Sequence, residues 1–370
     1  MAVADVVVVG GGVMGLLSAR ELATRGVRVT LIDRGGLAQE ASWAGGGIVS
    51  PLYPWRYGAA ITALASPSQQ AYRSLAPQLA AETGIDPELR CAGLLMQAVA
   101  DSDAALQWAQ QTGAALSFET AGFAAELEPR LRLDGGPVLW MPAVCSIRNP
   151  RLGQALRRSL ELNPLVTLRP WQAVTGLVRD GAAIRGVQLG AERVSAAAVL
   201  VCAGAWSAEL LSRVGVDLPI EPVKGQMLLF RTDGGLLQRV VLRDGRYLIP
   251  RGDGRILVGS TLEREGFSRR VTEAAHRDLH AAALAMLPAL AEQPVEAQWA
   301  GLRPGSPGGV PFIGAIPGYD NLFINAGQFR NGLVLAPASC RLAAQLICGE
   351  APTLDPAAYR VDAPRGGELL

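Results

Sequence analysis

ADVVVVGGGVMGLLSARELATRGVRVTLIDR, residues 4–34, decides the fold. Val3 to Val9 is a valine-rich run, unbroken from Val6, the composition of a strand buried on both faces. Gly10, Gly12 and Gly15 follow at the spacing Gly-x-Gly-x-x-Gly. Val13 to Thr24 then gathers small and apolar residues on one side and Arg20 and Glu21 on the other, which predicts a helix that stops at Gly26. Val27 to Ile32 is a second buried run and ends at Asp33. Strand, glycine turn, helix and strand together make a β-α-β unit. Gly10 permits the tight turn, Gly12 lets backbone approach a pyrophosphate, and Gly15 lets helix pack on strand. The helix N-terminus aims free N–H groups at the phosphates, and Asp33 is placed to accept from a ribose diol. The residues point to a dinucleotide site.

Two further stretches bear on which dinucleotide binds. Arg34 suits either a 2′-phosphate or a position over the adenine. EASWAGGGI, residues 40–48, is a small-residue loop that offers Ala41, Ser42, Gly46, Gly47 and Ile48 to a flat polar ligand. NLFINAGQFRNGLV, residues 321–334, reads as strand, glycine turn and helix start. A nicotinamide enzyme needs no second turn of this kind. A flavin does, because a helix N-terminus there stabilises negative charge on the reduced ring.

The chain has 370 residues, enough for roughly two domains. Its apolar fraction of 49% supports a large core, and 34 basic against 33 acidic residues leave no nucleic-acid footprint. The cysteines Cys91, Cys145, Cys202, Cys340 and Cys348 form no CxxC pair and are odd in number, which argues against a disulfide framework and for a reducing cytoplasm. They read as small core residues. No apolar run reaches the ~18 residues of a membrane span. The apolar stretch from Val6 lacks a cationic leader and is broken by glycines, so it reads as structure kept in the mature protein.

Helices are expected over 67–84, 101–113, 151–162, 272–287 and 332–347. Short strands are expected at 94–99, 166–168, 174–179, 183–189 and 197–202, with Asp180-Gly181 as a hairpin turn. Residues 221–260 read as antiparallel sheet, 322–326 as a last buried strand, and 362–370 as a loose tail. The fold class is α/β: an FAD-binding Rossmann-like domain interleaved with an antiparallel-sheet substrate domain. The expected division assigns 1–85, 143–220 and 300–361 to the first and 86–142 and 221–299 to the second.

VVVVGGGVMG (6–15), EASWAGGG (40–47), VLVCAGAWS (199–207), PVKGQM (222–227), RYLIPR (246–251), GSTLE (259–263), WAGLRPGSP (299–307) and QFRNGLVLAPAS (328–339) together cover most of the chain. In them the sequence resembles the D-amino acid oxidase family of flavoproteins, in particular the branch that oxidises glycine for the thiazole of thiamine. The resemblance implies non-covalent FAD, hydride transfer from the substrate Cα to flavin N5, and reoxidation by O2. It matches Arg303 to the arginine that clamps the substrate carboxylate, Tyr247 to a tyrosine of the same pocket, and Arg330 to a second arginine near substrate and flavin. It matches Val13, Met14, Asp33, Arg34, Ser42, Gly47, Ile48, Val174, Gly204 and Gln328, Phe329, Arg330, Asn331, Gly332, Leu333 and Val334 to FAD contacts. Two residues depart from many relatives: Gln328 stands in place of a histidine, and Leu262 in place of a methionine near the substrate. A related family carries flavin on a cysteine near the arginine loop, and no cysteine lies between 300 and 320 here.

The residues support the same site on their own. Arg303, between Trp299 and what reads as a Pro/Gly-rich loop, needs an anion, which a substrate carboxylate supplies in bidentate form. An ordinary structural ion pair is the competing reading. Tyr247 and Ile249 share a strand face and Leu248 takes the other. The expected substrates are glycine, sarcosine and small D-amino acids. The expected products are imine or 2-oxo acid, ammonia and hydrogen peroxide. The partners implied are O2, an acceptor of the imine in thiazole synthesis, and a second copy in a homo-oligomer. The alternative is a dehydrogenase of the same fold that passes electrons to a non-oxygen acceptor. His276 and His280, at helical i, i+4 spacing, read as a solvated face rather than a metal pair.

Overall fold

The computed structural model describes residues 4–366. The chain opens with β1 (Ala4–Val9), α1 (Val13–Ala23) and β2 (Val29–Ile32), followed by α2 (Ala41–Ala44), β3 (Ile48–Val49) and α3 (Ala59–Thr83). Next come β4 (Leu94–Gln97), α4 (Ser102–Thr112), β5 (Ser117–Glu119), α5 (Ala121–Leu127), β6 (Val138–Met141), β7 (Cys145–Ser146) and α6 (Asn149–Glu161). β8 (Val166–Arg169), β9 (Gly176–Asp180), β10 (Ala183–Leu189) and β11 (Glu192–Val201) precede α7 (Ser207–Ser212). β12 (Glu221–Phe230), β13 (Val240–Arg243), β14 (Arg246–Pro250), β15 (Ile256–Gly259) and α8 (Glu273–Met286) lead to β16 (Val295–Gly305), β17 (Phe312–Ala315), β18 (Leu322–Ala326) and α9 (Gly332–Ile347).

The first sheet runs β17-β18-β11-β1-β2-β8, with the β9-β10 hairpin attached to β11. β1 pairs parallel with both β2 and β11, so its valines are buried on both faces, as their run predicts. α1, α3, α6 and α9 cover one face with Leu16, Leu22, Leu64 and Leu335. The hairpin and α7 cover the other. β18, which supplies the C-terminal turn, pairs parallel with β11. Two distant ends of the sequence therefore meet in one sheet.

The second sheet runs β16-β12-β15-β14-β13-β4-β6-β5. Tyr247 and Ile249 pack on one face of it and Leu248 on the other, as strand alternation requires. The sheet is not purely antiparallel, because β13 pairs parallel with β4. It draws strands from 94–141 and from 221–305, and β16 crosses residue 300, where the sequence suggests a division.

Several expectations need correction. The helix expected from residue 67 starts at Ala59 and carries Pro67 and Pro77 inside it. Burial of Ile61, Leu64 and Tyr72 holds it where proline alone would break it. The strand at 166 belongs to the parallel sheet beside β2, whereas Asp180-Gly181 does form a hairpin turn. The tail is anchored through Arg365, which donates to the Val310 carbonyl at 3.0 Å and lies 3.7 Å over the Phe312 ring. The rest of that expected tail, residues 367–370, lies outside the described residues, as does Val3. His276 and His280 are half-buried, and His280 packs against Phe230.

The largest correction concerns the cysteines. Cys91 and Cys145 form a disulfide across 54 residues, while Cys202 and Cys340 are buried and Cys348 is exposed. The pairing arises because Arg90 and Ser146 bridge antiparallel, which brings their neighbours together. Under denaturing conditions the protein should show three reactive thiols without reductant and five with it. Five in both states would remove the bond.

Candidate active site

A cavity of about 440 Å³ runs from the glycine turn of the first sheet to the inner face of the second. Gly10 has φ +107, and a Cβ there would sit 2.4 Å from the Cys202 carbonyl oxygen. A Cβ on Gly15 would lie 1.8 Å from the Gly10 oxygen. The turn and the helix behind it can therefore close only with glycine at both positions. Gly15 does not line the cavity itself and acts through this contact.

Asp33 accepts from the Gly11 N–H at 2.6 Å and the Gly35 N–H at 2.7 Å, which fixes its carboxylate at the end of β2. Ser42 Oγ accepts from the Val13 N–H at 2.8 Å, tying the 40–48 loop to the start of α1. Neither α1 nor α9 has an acidic residue in its first turn, and Val13 and Gly332, the first residues of the two helices, both line the cavity. Both N-termini therefore favour an anion there. Arg34 lies 3.8 Å over the Trp206 ring, with Glu40 at 3.5 Å, so stacking on protein decides its position. Trp206, unread in the sequence beyond its place in VLVCAGAWS, lines the same end, as do Val174 and Gly204.

The middle of the cavity is a glycine cradle. Gly47 has φ +84, and a Cβ on Gly46 would come within 3.0 Å of Tyr247 and Ile249. Asn149 Oδ1 lines this stretch buried and with no hydrogen-bond partner. Arg251 positions the cradle from behind, donating to Gly46 O at 2.7 Å and Ile147 O at 3.0 Å. Burial lowers its guanidinium to about 10. In the sequence it stood only as the last residue of RYLIPR, with no role of its own.

At the second sheet, Tyr247, Arg303 and Arg330 converge on the cavity. Arg303 sits in strand β16, not in a loop, and donates to Ser260 Oγ at 2.7 Å and to the Thr261 carbonyl at 3.3 Å. Among the described residues no carboxylate lies within ion-pair distance of Arg303 or Arg330, so the structural-pair reading of Arg303 fails. Burial pushes the Arg303 guanidinium below its usual range, and neighbouring Arg330 adds to the effect. An incoming carboxylate reverses that penalty.

Gly225, on β12, was quoted in PVKGQM without a role. A Cβ there would meet Arg303 Nη1 and Nη2 at 2.2 Å, so the guanidinium lies on Gly225 and would have to move to admit a side chain. Gly225→Ala should raise the KM for the substrate by about tenfold or more while FAD content stays normal. Steady-state kinetics with bound-flavin quantification checks it, and an unchanged KM would show that the guanidinium has room to shift.

Gln328 is buried and donates to Asn325 Oδ1 at 2.7 Å, and Phe329, Leu333 and Val334 line the wall beside it. Asn331 is buried but does not reach the cavity. Leu262 is 43% exposed and lies outside the cavity wall, contrary to its expected substrate contact. The segment after Gly259 pairs with β12 at Lys224–Glu263, which leaves the Leu262 side chain in solvent.

Two helix N-termini with no acidic residue in the first turn, a ribose-type carboxylate, a glycine cradle and an orphaned amide acceptor fit an FAD. Asp33 and Arg34 would hold its adenosine part, the start of α1 its pyrophosphate, and the 46–48 cradle with the 328–334 turn its ring. A family model described as FAD dependent oxidoreductase (DAO) matches residues 5–346. Glycine oxidase from Pseudomonas aeruginosa is 50% identical over 98% of this chain and 98% of its own length. The bifunctional protein ThiO/ThiG from Nostoc sp. is 31% identical over 93% of this chain and 52% of its own. The crystal structure of glycine oxidase from Geobacillus kaustophilus matches with a TM-score of 0.93 at 30% identity, covering 99% of this chain and all of that one. On this geometry and these matches, the chain belongs to the DAO family of FAD-dependent oxidoreductases, among its glycine oxidase-like amino acid oxidases.

Proposed function

We propose that the chain oxidises glycine, sarcosine and small D-amino acids to the imine, with O2 as acceptor, and that the imine feeds thiazole formation in thiamine synthesis. The observation that carries this is a half-buried arginine with no carboxylate partner among the described residues, facing a cavity shared with the dinucleotide turn. When bound, FAD supplies the two-electron acceptor for the substrate C–H bond and passes the electrons to oxygen as hydrogen peroxide. Arg303 grips the substrate carboxylate through its planar fork. Tyr247, buried beside it, has its hydroxyl 3.5 Å from Met227 Sδ, a weak acceptor, and is free to donate to the same carboxylate. Small substrates suit this end, where Tyr247 and Met227 crowd Gly46 and Gly259. The fused ThiO/ThiG relative supports an imine-consuming partner.

The cavity carboxylates Asp33, Glu40 and Glu209 are committed at the nucleotide end: Asp33 to backbone N–H groups, Glu40 to Arg34 and Arg269, Glu209 to Arg213. Among the described residues, no carboxylate or histidine lines the cavity next to Arg303 to take the ammonium proton. The substrate must therefore arrive as the neutral amine, and kcat/KM should rise with pH until the substrate amine is deprotonated. A flat profile would overturn this reading. A substrate panel with peroxide detection, on protein whose bound cofactor has been identified, tests the function. Dye reduction without peroxide would instead support a dehydrogenase.

A further inference from the structure

A buried lysine flanked by two partly exposed carboxylates lies on the far face of β12 from Arg303. Arg303 stands opposite Val223 and lies on Gly225, two residues along the same strand face. Lys224 points the other way. Its side chain is 0% exposed, and its Nζ meets Glu263 at 2.8 Å and also Glu265. Lys224 and Glu263 exchange backbone hydrogen bonds of 2.9 Å each. Glu263 accepts from Gln226 Nε2 at 2.8 Å and from Thr261 Oγ1. Ser260 and Thr261 are the residues that accept from the Arg303 guanidinium. One short segment, Ser260 to Glu263, thus touches Arg303 at its start and Lys224 at its end.

A buried lysine between two carboxylates adds little stability over an apolar cluster of the same size. Charge balance gives it a use. Without Lys224, Glu263 would stand uncompensated at the end of the segment whose start holds the Arg303 guanidinium. We propose that Lys224 is a positioning residue for substrate binding: it cancels Glu263 and pins Ser260 to Glu263, leaving Arg303 available to an incoming carboxylate. This rests on the reading of Arg303 as the carboxylate clamp.

The test uses FAD-loaded enzyme, with glycine kinetics and acetate binding followed by the change in flavin absorbance. Lys224→Met should raise the glycine KM and the acetate Kd about tenfold with kcat nearly unchanged. Adding Glu263→Gln in that background should recover most of the loss, and Lys224→Arg should stay near wild type. Unchanged binding in Lys224→Met, or a loss that Glu263→Gln does not recover, would overturn the proposal. If Lys224→Met does not fold, Glu263→Gln alone decides: it should tighten acetate about threefold, and weaker binding counts against the idea. Arg303→Ala run alongside separates the two claims. Wild-type acetate affinity there removes the clamp reading and this proposal with it. Lost affinity there with none lost in Lys224→Met removes this proposal alone.

Discussion

Arg303→Ala is expected to raise the KM for glycine by about 10²- to 10³-fold, the ~3–4 kcal/mol that removal of one partner from a desolvated charge pair costs. Among the described residues the guanidinium has Ser260 Oγ and the Thr261 carbonyl as its acceptors, so most of its donors await a ligand. Arg303→Lys should recover part of the loss, because an ammonium keeps the charge but not the fork. Steady-state kinetics on FAD-replete protein reads the effect. A KM within twofold of wild type would mean that the carboxylate is held elsewhere, with Arg330 the next residue to test.

Gly15→Val should yield protein that is colourless or insoluble. The new Cβ would fall 1.8 Å from the Gly10 oxygen, and backbone rather than a movable side chain is in the way. Helix α1 would have to lift from β1, opening the turn that faces the pyrophosphate. Such a clash belongs among the largest single-residue effects, on the order of 4 kcal/mol or more. Gly26→Ala is the control: φ is +77 but nothing lies within 4 Å, so a loss of about 1 kcal/mol and normal flavin content are expected. Thermal melts and the ratio of flavin to protein absorbance compare the two. Full yellow colour in Gly15→Val would contradict the contact.

The β-α-β unit was legible because its strands are buried on both faces and its glycines have fixed spacing. The last strand and helix, 322–326 and 332–347, were legible for the same reason. β16 was not. Its glycines and Pro304 read as loop, yet Pro304 stands opposite Pro222 at the end of the ladder, and Gly301 must lack a side chain because a Cβ there would sit 2.5 Å from Ala44. The Cys91–Cys145 bond was hidden because residues far apart in sequence meet only through the Arg90–Ser146 bridge. Arg251 and Trp206 were quoted as motif members but given no role, since backbone acceptors and stacking partners leave no periodic trace. Leu262 was misplaced by resemblance alone; its position beyond β15 follows the Lys224–Glu263 pairing.

The first sheet places β18 beside β11, and α9 packs on α1. During synthesis the opening glycine turn leaves the ribosome early, but its covering strand and helix emerge only with residues 322–347. Until then the part of α1 that packs on α9 has no cover. A premature stop upstream of Leu322 would therefore keep every glycine of the opening motif and still yield a polypeptide unable to retain its flavin.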